Sequence, residues 1–217
     1  MADQRMNLDA DALLTTTRSV RRRLDLEQEV PCKLLFEAIE IAIQAPTGGN
    51  IEGWTWLVIE DTERKRGIAD LYRKFYAGYR AHVVSQPGAD APAFQRMLAG
   101  ADHLSANLER VPWLVIPCIT GPMGRVDEGT GSFVQASTWA SIYPAVWSFQ
   151  LALRERGLAS CITTNHLVFE REVAELLGIP FETTNQACLL PVAFSLGTEF
   201  KRAARRPAAE VTRVNVW

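Results

Sequence analysis

The sequence predicts a single α+β domain. About four strand-like segments lie scattered among longer helix-period segments, and no regular βαβ repeat connects them. A length of 217 residues suits one sizeable core and leaves little room for two. The domain therefore spans residues 1–217, with a tail at about 197–217. Composition agrees with a soluble globular chain, 47% hydrophobic and 22% charged. A formal charge of −2 gives no reason to expect nucleic acid or an anionic membrane surface as partner. No apolar run approaches the roughly 20 residues that cross a bilayer. The opening MADQRMNLDADALL lacks the basic start, apolar core and cleavage site of a secretory signal, which points to the cytoplasm.

Along the chain, a short helix is expected over Asp9 to Thr17. A stronger one runs from Pro31 to about Gln44, where Leu34, Leu35, Ala38, Ile39, Ala42 and Ile43 follow the helical period. It stops before Pro46 and the Gly48-Gly49 pair. Trp54 to Glu60 alternates and is rich in aromatic and β-branched residues, so it reads as a strand. Asp61-Thr62 caps a helix that reaches about Arg80. Val84 to Pro92 is a loop, Ala93 to Leu108 a helix, Trp113 to Thr120 a strand and Gly121 to Gly131 a second loop. The longest helical pattern covers Phe133 to Arg156, nearly continuously apolar through Trp139, Ile142, Val146, Phe149 and Leu153, and ends at Gly157. A short extended segment at Ser160 to Thr164, a helix from Glu170 to Leu177 and a last strand at Ala187 to Leu196 complete the domain. The closing VTRVNVW alternates like a strand with no chain left to pair it, a pattern suited to another subunit's sheet edge.

Cys32, Cys118, Cys161 and Cys188 are far apart, with no CxxC pair, and His82, His103 and His166 are scattered. No metal site is expected from such spacing. In a reducing compartment the cysteines read as small buried hydrophobes.

Four segments carry polar chemistry. Arg18-Ser19-Val20-Arg21-Arg22-Arg23 sets forked phosphate donors and a hydroxyl directly after a helix; alone it is equally a solvated basic turn. Ala45-Pro46-Thr47-Gly48-Gly49-Asn50, followed by Trp54, has glycines that admit a planar ligand and side chains that can read heteroatoms, or is simply a helix end and turn. It is neither a GxGxxG fingerprint nor a phosphate loop. Gly157 to His166 is small and polar after a long helix, which suits a ligand wall. A hydrolase reading of Ser160, Cys161 and His166 lacks the G-x-S-x-G elbow and any residue placed to orient the histidine. Lys201-Arg202-Ala203-Ala204-Arg205-Arg206-Pro207 is a second basic cluster, able to join the first on one phosphate or to face water alone.

In order and spacing these segments resemble the nitroreductase family of flavoproteins. That family has an arginine-serine motif near its N-terminus and an A-P-[ST]-x-x-N-x-x-x-W loop. A G-L-x-S-x-x-T-T segment follows the central helix, and an arginine-x-proline stands near the C-terminus. The resemblance runs from about residue 15 to 217 and is to actinobacterial-type members carrying T-T-T-R-S-V-R.

The resemblance implies a central, mostly antiparallel or mixed sheet flanked by helices, in an intertwined homodimer with the C-terminal tail exchanged onto the partner. It implies FMN held at the dimer interface, NADH or NADPH as electron donor, and a small-molecule acceptor such as a nitroaromatic, a quinone or another electrophilic conjugated compound. Arg18, Ser19, Arg21 and Arg205 would bind the phosphate and ribityl chain. Pro46, Thr47, Gly48 and Asn50 would reach the flavin ring from the other subunit, and backbone at Ile162, Thr163 and Thr164 would approach flavin N5. The cofactor carries the chemistry, so no side-chain acid or base is required. Two alternatives share these motifs: an FMN-storing protein without turnover, and a member specialised for reductive dehalogenation or flavin destruction. The chain departs from the pattern at Thr17, where many relatives have arginine, at Glu52-Gly53 before Trp54, and at Trp147-Ser148 in the central helix. The last two changes bear on substrate range.

Overall fold

In the computed structural model, which describes residues 5–120 and 131–217, the chain begins with α1 (Ala10–Thr16), α2 (Cys32–Ala42), β1 (Trp54–Ile59), α3 (Thr62–Val84) and α4 (Pro92–Asn107). It continues through β2 (Trp113–Ile119), α5 (Gly131–Ala140), α6 (Tyr143–Glu155), β3 (Leu158–Ser160) and α7 (Glu170–Leu177). It ends with β4 (Asn185–Gln186), β5 (Leu190–Phe194) and α8 (Ala208–Val211). The sheet runs in the order β1-β2-β5-β3, with β4 also on β2, and every pairing between these strands is antiparallel.

β2 explains the layering. Its run WLVIPCI is apolar throughout because both faces are covered. Leu114, Ile116 and Cys118 pack with Ile68 and Tyr72 of α3, Leu104 of α4 and Val173 of α7. Trp113, Val115 and Ile119 pack with Leu35 and Ala38 of α2 and with Val146, Phe149 and Leu153 of α6. The result is three layers, helices on both faces of the sheet.

Helix starts follow local chemistry. The Asp9 carboxylate accepts from the Ala12 N–H at 2.7 Å, and Asp61 does the same for Arg64 at 2.9 Å. The main correction concerns Phe133 to Arg156, expected as one helix and found as α5 and α6. Pro144 has no N–H to donate, and in a continuous helix its ring would strike the carbonyl of Ala140, so the break falls at Ser141-Ile142. Smaller differences are a longer α3, an extended segment that sits at Leu158–Ser160 rather than Ser160 to Thr164, and a last strand narrowed to Leu190–Phe194. The loop at 121–131 lies outside the described residues except for its final glycine. The tail is not a strand in the single chain: Val211 closes a short helix, and Val214, Val216 and Trp217 are exposed. Among the described residues no strand pairs with it to supply the ladder.

Candidate functional site

The first basic segment is laid along the sheet by the Val20 N–H, which donates to the Ser160 carbonyl at 2.9 Å, and by a bridge between Leu24 and Ser195. That leaves Arg18 beside the tail. A cavity of about 380 Å³ opens there, lined by Leu14, Thr15 and Arg18, by Trp147 of α6, and by Arg202 and Arg205 from the far end of the sequence. Among the described residues no carboxylate lines it.

Arg18 is partly committed within the chain. One Nη1 hydrogen goes to the Thr17 carbonyl at 2.6 Å, and Nη2 serves the carbonyls of Thr15 and Lys201 at 2.6 and 2.7 Å. A guanidinium has five N–H donors, so Nε and one Nη1 hydrogen remain for a ligand. Arg205 is exposed and donates to the Ala204 carbonyl at 3.1 Å. Three guanidinium groups without a carboxylate make an anion receptor.

The other candidate residues fall elsewhere. Ser19 is exposed and does not line the cavity. Arg21 turns toward α4, where its Cδ would lie 3.7 Å from a Cβ placed on Gly100. Its guanidinium makes no hydrogen bond or ion pair among the described residues. Its charge is felt by the Tyr72 hydroxyl and the Cys161 thiol. Tyr72 shares a hydrogen bond of 3.1 Å with Thr163 Oγ1, so Arg21 and Thr163 gather around one phenol. Burial raises that phenol's pKa, against the opposing pull of the Thr163 hydrogen bond.

Thr163 also exchanges both backbone hydrogen bonds with Leu189, at 3.0 and 2.8 Å. Its amide is thereby occupied, whereas the amides of Ile162 and Thr164 make no hydrogen bond among the described residues. The nearby hydrolase candidates are sealed in. Cys161 is fully buried, and burial pushes its thiol up to about 11 despite Arg21; His166 is fully buried and pushed down to about 3. The Ser160 hydroxyl accepts from Gln150 Nε2 at 3.0 Å.

The glycine loop is pinned to the helix break. Ser141 Oγ accepts from the Gly48 N–H at 3.0 Å while donating to the Ser137 carbonyl, and Trp54 Nε1 donates to the Ser141 carbonyl at 2.7 Å. Gly49 and Asn50 then turn through left-handed backbone, at φ 62° and 55°. Pro46, Gly48 and Asn50 are exposed, with Thr47 half-buried. No hydrogen bond or ion pair among the described residues joins this loop to the arginine cavity. Next to it, Gly53 touches the Thr120 backbone so closely that a Cβ would sit 2.0 Å from the carbonyl oxygen.

The structure thus brings Arg18 and Arg205 together and sets Ser19, Arg21, the loop and Ile162 to Thr164 apart from them. Sequence reasoning passed over Arg202 as a lining residue, although it stands in the second basic cluster. It also passed over Tyr72, for which the sequence holds no signal.

A model of the nitroreductase family matches residues 14–197. An NADH dehydrogenase of Thermus thermophilus is 26% identical over 97% of this chain and 96% of its own length. A 4-nitrobenzoate reductase of a Nocardioides species is 25% identical over 80% of this chain and 76% of its own. Among solved structures, an oxidized iodotyrosine deiodinase bound to FMN and 3-iodo-L-tyrosine superposes with a TM-score of 0.70 at 21% identity, covering 94% of this chain and 98% of that one.

Proposed function

The chain belongs to the nitroreductase family, and on that premise we propose that it is a homodimeric, FMN-dependent oxidoreductase. Its electron donor is NADH or NADPH, and its acceptors are nitroaromatics, quinones or related electrophilic conjugated compounds. The observation that carries this reading is the meeting of Arg18, Arg202 and Arg205, from opposite ends of the chain, on one cavity of about 380 Å³. That volume lies within the ordinary range for small-molecule sites, and the donor set suits a phosphate. The names of the relatives, an NADH dehydrogenase and a 4-nitrobenzoate reductase, agree with redox chemistry of this class.

Arg18, Arg205 and Arg202 hold the phosphate, with Ser19 and Arg21 serving the remainder of the phosphate and ribityl region. The Pro46, Thr47, Gly48 and Asn50 loop belongs to the partner's half of the site, which accounts for its separation from the arginines within one chain. The amides of Ile162 and Thr164, without a partner among the described residues, hydrogen-bond a flavin heteroatom beside Thr163. FMN supplies the hydride and electron transfer when bound, and the chain's own groups bind, orient and exclude water. The homodimer is supported by apolar side chains left exposed in the single chain: Phe36 and Ile41 on α2, Phe133 on α5, and Val214, Val216 and Trp217 in the tail. A cytoplasmic setting keeps its four unpaired cysteines reduced.

The test is direct. Purified protein should be yellow, bleach with NADH or NADPH, and recolour when a nitroaromatic, a quinone or an iodinated aromatic is added. Acceptor rates then rank the activities, iodide release marking reductive dehalogenation. Protein that neither carries nor takes up FMN overturns the reading; bound flavin that no nicotinamide bleaches leaves a storage protein instead.

A further inference from the structure

Among the described residues, 197–206 neither give nor accept a backbone–backbone hydrogen bond, and they form no helix or strand. Their order comes from side chains of the domain. Arg23 donates through Nε to the Leu196 carbonyl at 2.7 Å, through Nη1 to that of Glu199 at 3.2 Å, and through Nη2 to that of Gly197. Arg154 donates to the Thr198 carbonyl at 2.7 Å and Arg18 to that of Lys201 at 2.7 Å. Gly197 makes room: its φ is 77°, and a Cβ there would meet Arg23 Nη2 at 2.8 Å.

Phe200 lies where these arginines converge. The Arg23 guanidinium stands 4.3 Å from its ring centroid and that of Arg154 4.9 Å, so two cations share one aromatic ring. Arg154 is buried and its Nε has no hydrogen-bond partner among the described residues, an arrangement that costs stability. Hydrophobic packing alone would not call for two like charges here. What the arrangement achieves is to fix the backbone immediately before Arg202 and Arg205, whose side chains line the cavity while Phe200 does not.

We propose that Phe200, held between Arg23 and Arg154, is a positioning residue, a latch that docks the C-terminal segment and so places Arg202 and Arg205 for the phosphate. The inference rests on the phosphate reading of the cavity given above. With the latch open those arginines leave the site, and the apparent dissociation constant rises by the inverse of the docked fraction. Two cation–π contacts together bias docking by about fivefold to thirtyfold.

The test titrates the full-length protein with FMN and with riboflavin, which lacks the phosphate. Phe200→Leu keeps apolar volume and removes the aromatic face. It should weaken FMN by up to about thirtyfold, change riboflavin less than twofold, and be rescued by Phe200→Tyr. Equal losses for both ligands, no loss of FMN affinity, or failure of the tyrosine to rescue overturns the latch. The double variant Arg202→Ala/Arg205→Ala separates the two levels of the argument. If it loses FMN affinity while Phe200→Leu does not, the latch alone is wrong. If it binds FMN as the unaltered protein does, the phosphate reading is wrong and the latch falls with it. Should Phe200→Leu fail to fold, Arg23→Lys carries the same test, because it keeps the charge and loses the fork onto three carbonyls; the same selective loss of FMN is expected, and its absence overturns the latch.

Discussion

His166 should make this protein acid-sensitive in a measurable way. The side chain is fully buried in the turn between β3 and α7, a turn that packs on α3, and neither ring nitrogen has a hydrogen-bond partner among the described residues. Burial lowers its pKa from 6.5 to about 3. The folded protein therefore keeps the imidazole neutral, while the unfolded chain takes up a proton below pH 6.5. This part of the stability is complete above about pH 6.5 and is lost as the pH falls toward 3. Each pH unit in that window costs about 1.4 kcal/mol, roughly 5 kcal/mol in all. Between pH 7.5 and pH 5.0, before most carboxylates titrate, the loss is about 2 kcal/mol. His166→Leu removes the titrating group and its two unsatisfied nitrogens. Urea unfolding followed by far-UV circular dichroism at pH 7.5, 6.0 and 5.0 should show the variant gaining about 2 kcal/mol on the unaltered protein across that range. A stability difference that stays constant with pH would falsify the claim that the histidine is held neutral by burial.

Three further outcomes are expected. Arg18→Ala removes a charge-assisted contact from the cavity, worth about 1.5–3 kcal/mol, so FMN should bind about 10- to 150-fold more weakly in fluorescence titrations while riboflavin hardly changes. Gly53→Ala forces a methyl group against the Thr120 carbonyl, and thermal unfolding should report a loss of about 1–3 kcal/mol. Deleting residues 211–217 should lower dimer stability and flavin retention together; a truncated protein that stays dimeric and fully yellow in size-exclusion chromatography counts against the tail-exchange proposal.

Much of the fold was legible because its signals are local. Asp9 and Asp61 cap helices by reaching an N–H three residues on, α2 repeats its apolar residues at the helical period, and the unbroken apolar run of β2 announces burial on both faces. Pro144 was also visible in the sequence, yet the strong periodicity around it masked the break, and the break is what pins the glycine loop through Ser141. The candidate site was legible as residue types in order, arginines at both ends with small polar segments between. Only the tertiary structure decided which of them meet. Arg18 and Arg205 share a cavity because the tail is drawn back along the first basic segment, whereas Arg21, three residues on from Arg18, turns to Tyr72. It decided, too, that Arg23 organises the tail, and that Cys161 and His166, which look reactive in the sequence, lie sealed in the interior. Caps and periodicity act within a few residues and so survive in one dimension. Convergence, burial and close backbone approach depend on contacts between distant segments, which exist only once the layers have packed.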